Sequence, residues 1–305
     1  MDFDNVARKL GDDQNLVVAR RQLYAAGVPR WFVANELRRR RWQRGGRQTV
    51  VLHNGPLEQA AKWWIAVFEV GCRAALDGVC ALQAAGLTGL NDTDIVVATP
   101  KSSTPCKPKG VRVRETRRFR SEDVVAVGIP RMRPAVAAVH AALWAVSDRQ
   151  AKLFVLMTVQ QRLASAVDVA EVVDTIRRHL RRRMLQGLAE ELIAGSHTLG
   201  ELDVAGALRQ RGLPPPSRQA IRTRKNGTQY LDLEWPEFRL VLEIDGIGHD
   251  APAQAVTDWV RDLSLLAEGS NVMRLKMMAW LLDRNAVLDA LEVVFRSRGW
   301  APQAA

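Results

Sequence analysis

Residues 230–249 constrain this chain more than any other stretch. They run Tyr230-Leu231-Asp232-Leu233-Glu234, then Trp235-Pro236-Glu237-Phe238-Arg239, then Leu240-Val241-Leu242-Glu243-Ile244-Asp245-Gly246, with His249 just beyond. Two short apolar runs, each carrying carboxylates, flank a turn centred on Trp235-Pro236-Glu237. Side chains alternate faces along a strand, so Glu243 and Asp245 share one face. A hairpin brings Asp232 alongside them. Three carboxylates and an imidazole then converge at one end of a sheet. Like charges so close repel unless a hard cation lies between them. The expected chemistry is a divalent-metal site, Mg2+ or Mn2+, for phosphodiester hydrolysis. The plainer alternative is that acidic residues merely end a strand and that Asp245-Gly246 is a turn.

The last third of the chain, about 198–300, resembles the restriction-endonuclease-like domains related to very-short-patch-repair endonucleases. That pattern has an Asp on one hairpin strand, an acidic strand ending in Asp-Gly, a His, and a helix with Arg and Asp. Here these are Asp232, the run from Leu240 to Gly246, His249, and Asp258-Trp259-Val260-Arg261-Asp262. Leu199-Gly200-Glu201-Leu202-Asp203 and the Gly212–Gln219 stretch match the family's lead-in helix and turn. The resemblance implies an α/β/α core over 196–305. Its elements are expected as helix, three strands, helix, strand, helix. It implies Asp232, Glu243 and Asp245 as metal ligands, with Glu201 and Asp262 as further acidic groups. It implies His249 as an aid to proton transfer and Arg261 as a stabiliser of the reacting phosphate. Asp245 stands where broader nucleases of this kind place a catalytic Lys, and Leu231 where they place Pro. The Lys role therefore does not transfer, and a substitute cation has to come from Arg261 or from around the metal.

Charge supports a polyanionic partner. The chain has 305 residues and a formal net charge of +11, which favours nucleic acid, although an anionic membrane surface fits too. Arg greatly outnumbers Lys, which reflects genomic composition in part, but exchanging Lys for Arg leaves net charge unchanged. No apolar run reaches the length of a transmembrane helix, and the first residues do not read as a signal peptide. Cys72, Cys80 and Cys106 are odd in number and lack zinc-ligand spacing. A reduced, cytoplasmic protein is expected, with Cys72 and Cys80 in a helical core.

The N-terminal 54 residues read as two helices, 15–26 and 30–40, separated by Gly27-Val28-Pro29. Trp31, Phe32, Val33 and Leu37 are expected to face inward. Arg38, Arg39, Arg40 and Arg41 follow, then Arg44-Gly45-Gly46-Arg47 and an alternating strand over 48–52. Helix, turn, basic helix and Gly-Gly hairpin is the layout of a winged helix-turn-helix. It resembles the N-terminal domain of AbiEi-type antitoxin regulators. The resemblance implies duplex-DNA binding through Arg38, Arg39, Arg40, Arg41, Arg44 and Arg47. A solvated arginine face on a small helical bundle is the alternative.

Residues 55–195 read as a middle region, mixed α/β and then helical. Helices are expected at 56–76 and 78–85, with Trp63, Trp64 and Phe68 packed inside. Strands are expected at 94–98 and 111–114. Helices follow at 134–146, 153–166 and 169–194, the last carrying the basic run 177–183, and 194–197 reads as a linker. In the C-terminal region strands are expected at 220–224, 229–234 and 272–275, and helices at 253–267 and 284–298. The lead expectation is a DNA-binding protein with a Mg2+-dependent endonuclease domain. The alternative is a non-catalytic regulator, antitoxin-like, with a degenerate nuclease fold. A third reading is an RNA-directed nuclease or toxin. Target, pathway and oligomeric state stay open.

Overall fold

The computed structural model describes residues 2–90, 92–197, 204–223, 229–245 and 272–302. Within them the chain is mixed α/β, about half helical, with three sheets. Two compact units divide it, Met1–Ala141 and Ala142–Ala305. No helix among the described residues is long and apolar enough to cross a membrane.

The first unit begins with helix α1 (Phe3–Gly11), whose N-terminus is capped by the Asp2 carboxylate accepting from the amides of Asp4 and Asn5. Asn15 and Leu16 then adopt left-handed backbone, with φ of 52° and 58°. That reversal ends any helix and launches strand β1 (Val17–Ala19) into α2 (Arg20–Ala25) and α3 (Arg30–Arg38). One helix was expected over 15–26, and none at α1. The left-handed pair and the fully buried, β-branched Val17 and Val18 explain the difference. Strands β2 (Gln43–Arg44) and β3 (Thr49–Val51) form a hairpin, and the sheet order is β1-β3-β2, antiparallel throughout. Ala7, Val18, Leu23, Val28, Val33, Trp42, Val50 and Leu52 form its core. Trp31 does not face inward as expected. It is 65% exposed, with one edge against Phe3 and Phe32.

Helix α4 (Gln59–Val70) packs Ala61, Trp64 and Phe68 against the other side of this small sheet. It is shorter than the helix expected over 56–76, because Gly71, at φ 146°, ends it and the chain turns into strand β4 (Ala75–Leu76). Cys72 lies exposed in that turn, not in a helical core. Next come α5 (Gly78–Ala84), β5 (Ile95–Pro100), β6 (Val111–Thr116), β7 (Val124–Val125), β8 (Arg131–Met132) and α6 (Pro134–Trp144). The five strands form one sheet in the order β6-β5-β4-β8-β7. Asp77 caps α5 and holds Nδ1 of His140 at 2.8 Å, both side chains buried. That pair ties α5 to α6 inside the unit. Cys80, one turn along α5, is buried, and burial pushes its thiol up to about 12. It is a neutral packing group.

In the second unit, α7 (Asp148–Gln160), α8 (Ala166–Asp174) and α9 (Arg182–His197) replace the two helices expected over 153–194. The basic run 177–183 does not sit on one helix. It forms most of the connection between α8 and α9, where Arg181 is held by Asp148 at 2.8 Å and by the carbonyls of Ala142 and Leu143. A guanidinium with three acceptors fixes a bend that a continuous helix would not allow. Residues 194–197, expected as a linker, are the last turn of α9. Then follow α10 (Val204–Gln210), β9 (Arg218–Thr223), β10 (Gln229–Trp235), β11 (Leu240–Asp245), β12 (Val272–Lys276), α11 (Met277–Leu282) and α12 (Arg284–Ser297). The helix expected over 253–267 lies outside the described residues.

Candidate functional site

The C-terminal sheet has the order β12-β11-β10-β9. Strands β9, β10 and β11 are antiparallel neighbours, and β12 runs parallel to β11. Alternation splits this sheet into two chemically opposite faces. Leu233, Trp235, Leu240, Leu242, Ile244, Met273 and Leu275 fill one, and each is essentially buried. The other carries the charges. Asp232 pairs directly across the ladder with Glu243, and Glu243 with Arg274. One step away, Glu234 is in register with Arg218. At the end of β11, Asp245 is in register with Tyr230 and Lys276.

Directly opposed side chains in such a ladder have Cβ atoms about 4.5–5.5 Å apart, so the Asp232 and Glu243 carboxylates share one spot on the sheet. Asp232 is 8% exposed. Arg274 Nε lies 3.2 Å from Glu243 Oε2, and Arg218 Nη1 is 4.0 Å from Glu234 Oε2. The inner strands therefore carry the acids and the outer strands the bases. Arg274 was not singled out from the sequence. Its signal was its place in the alternating run Val272-Met273-Arg274-Leu275, where it is the one charge facing away from the core.

The turn that sets this register is apolar. Trp235 is fully buried, its indole N–H donates to the Pro214 carbonyl at 2.9 Å, and its ring meets Phe295 edge-on at 5.3 Å. Phe238 meets the same Phe295 ring at 5.4 Å. Arg239 closes the turn in left-handed backbone at φ 47°. Glu201, His249, Arg261 and Asp262 lie outside the described residues. Among the described residues, no group of three or more acidic, His or Cys side chains is placed to hold a metal ion. Asp232 and Glu243 still offer two hard oxygen donors on one face, which is donor chemistry that suits Mg2+ or Mn2+.

A second site lies in the first unit. A groove of about 660 Å³ runs between α3 and β2, lined by Arg20, Arg38, Arg40 and Arg44 around Ala34, Trp42 and Gln43. Among the described residues, no carboxylate lines it. The six arginines read from the sequence are all exposed, but they do not all line this groove. Arg38, Arg40 and Arg44 share the groove. Arg41 turns back to Glu36 at 3.7 Å. Arg47 sits in the hairpin turn and does not line the groove. Arg20 joins the groove and was missed, because the expected helix over 15–26 hid the strand that ends at its neighbour Ala19.

The β2–β3 turn is held by a buried carboxylate from α4. Glu69 accepts from the Arg47 amide at 3.0 Å, the Gln48 amide at 2.7 Å and the Thr49 hydroxyl at 2.7 Å. Gly46 passes so near that a Cβ there would meet the Glu69 carboxyl group. A lone acid inside the apolar run Trp63–Val70 was the sequence signal for this contact. No protein-family model matches this sequence, and no curated protein matches it.

Proposed function

We propose that this protein binds duplex DNA through an N-terminal winged helix and carries a restriction-endonuclease-like domain for metal-dependent phosphodiester hydrolysis. The observation that carries the reading is the register that sets Asp232 directly across from Glu243 on the charged face of the C-terminal sheet. The order helix, strand, helix, helix and hairpin in residues 3–51, with sheet order β1-β3-β2, supports the winged-helix part. So does the carboxylate-free groove of Arg20, Arg38, Arg40 and Arg44, whose cations suit phosphate oxygens.

In this reading Asp232 and Glu243 would hold Mg2+ or Mn2+, and Asp245 at the strand end would complete the ligand set. When bound, the ion supplies a water of lowered pKa and neutralises charge on the scissile phosphate. Water attacks phosphorus and the bond to the leaving oxygen breaks. His249 carries a proton in that step, and Arg261 stabilises the extra negative charge.

The regulator reading is favoured by one contact. Arg274 already offers Glu243 a cation at 3.2 Å, and a guanidinium so placed competes with a metal. Cleavage of supercoiled plasmid separates the two. Wild-type protein with Mg2+ or Mn2+ is expected to nick or cut, EDTA to stop it, and Asp232→Asn to abolish cutting while DNA binding persists. If wild type is as inactive as Asp232→Asn on single-stranded, mismatched and duplex DNA while both bind a specific duplex, the regulator reading replaces the nuclease.

A further inference from the structure

We propose that a second cleft in the first unit, on the far side of the β2–β3 turn, is a subsite for the phosphodiester backbone of the same duplex. The inference rests on the DNA-binding part of the reading above and extends it beyond the α3 groove.

The cleft holds about 1040 Å³ and is formed by the β2–β3 turn, the outer stripe of α4, the 106–110 loop and Val111 at the start of β6. Its cations are Arg47 from the turn, Lys62 from α4, and Lys107 and Lys109 from the loop. All four are exposed. Ile65 and Pro108 contribute to an apolar lining between them. Lys62, Ile65 and Glu69 recur at helical spacing, so one stripe of α4 faces the cleft.

Among the described residues, Glu69 is the one carboxylate on this lining, and the turn holds it in place. It is buried, and its two oxygens accept three hydrogen bonds from the turn. Its donors are neutral groups, so its charge persists, and the four cations outnumber it by three. Lys107 pairs with Glu115 at 3.0 Å, which leans it toward β6, and that leaves Arg47, Lys62 and Lys109 as the stronger phosphate partners.

Continuity decides the partner. Arg44, the last residue of β2, lines the α3 groove, and the turn that follows it, Gly45 to Gln48, lines this cleft, so consecutive residues of one hairpin border the two. A polyanion that lies along Arg44 and follows the hairpin to Arg47 meets the cleft next. The cations also come from three separate chain segments, which suits an extended backbone. A single nucleotide would need them gathered at one end of its pocket.

The test is duplex affinity of the full chain across a salt series. Removing one phosphate-binding cation flattens the slope of log affinity against log salt by about 0.9, so Lys62→Ala/Lys109→Ala is expected to flatten it by about 2. Lys62→Arg/Lys109→Arg is expected to keep it. Melting midpoint and circular dichroism report folding. Should the alanine pair misfold, Lys109→Gln alone is read instead, with an expected change of about 1. An unchanged slope overturns the inference. If Arg38→Ala/Arg44→Ala still weakens binding in that case, the winged-helix reading survives without the cleft. If neither pair changes the slope, that reading falls as well. Saturable ATP binding that the alanine pair abolishes, with duplex binding untouched, makes the cleft a nucleotide site and also overturns the proposal.

Discussion

The two hairpins of this protein solve the same problem by opposite means. In the first unit, β2 and β3 meet at a turn that a buried carboxylate holds, and the arginines stay outside. In the second, β10 and β11 meet at a turn that aromatic rings hold, and the carboxylates stand mid-strand with bases on the flanking strands. The first keeps cations available to a partner. The second balances its charges within its own sheet. A turn anchored by rings leaves the strand carboxylates for other work, whereas a turn anchored by a carboxylate has used it.

The comparison is open to experiment, and the largest effect is expected at the aromatic anchor. Trp235→Ala removes a fully buried ring and an indole hydrogen bond, and about 3–5 kcal/mol of stability should go with it in denaturant unfolding. A loss under ~1 kcal/mol would mean the turn is held elsewhere. Next comes Glu69→Ala, which strands two amides and a hydroxyl, with an expected loss of about 3 kcal/mol. Glu69→Gln should cost less, because the amide oxygen keeps part of the set. If Glu69→Ala lowers duplex affinity without loss of stability, the turn is shaped by binding and not before it.

In the α3 groove, Arg38→Ala/Arg44→Ala should leave stability within ~0.5 kcal/mol and flatten the salt slope by about 2. A large stability loss would show that these exposed arginines hold the hairpin, contrary to the contrast drawn above. The smallest effect is expected for Arg274→Met, less than ~1 kcal/mol, since its side chain is 64% exposed and its pair with Glu243 is screened. The informative readout there is Mn2+ affinity by calorimetry. Tighter binding in the variant would mean that Arg274 and the metal compete for Glu243, and unchanged binding would remove Glu243 from the ligand set.

What the sequence disclosed follows the reach of the forces involved. The β10–β11 hairpin was legible because alternation over Leu240–Asp245 leaves one register that buries Leu240, Leu242 and Ile244 together. Strands β5, β6 and β12 and the closing helix α12 were legible for similar reasons. Strand β1 was not, because three residues are too few to show a period, and its neighbours favour helix. The caps were readable in principle, Asp2 before α1 above all. The Glu69 contact spans 20–22 residues and the Asp77–His140 pair spans 63. A local pattern marks Glu69 as an acid within an apolar helix, but it does not name partners so far along the chain. The basic groove was half legible, since composition revealed its cations and only the folded chain divided Arg41 and Arg47 from Arg38, Arg40 and Arg44.

The approach of Gly46 to the Glu69 carboxylate also couples two positions far apart in sequence. A side chain at residue 46 would collide with the acid, and loss of the acid would unmake the turn that residue 46 helps to form. Changes at the two positions are therefore expected to be non-additive, the second costing less stability once the first has already disturbed the turn.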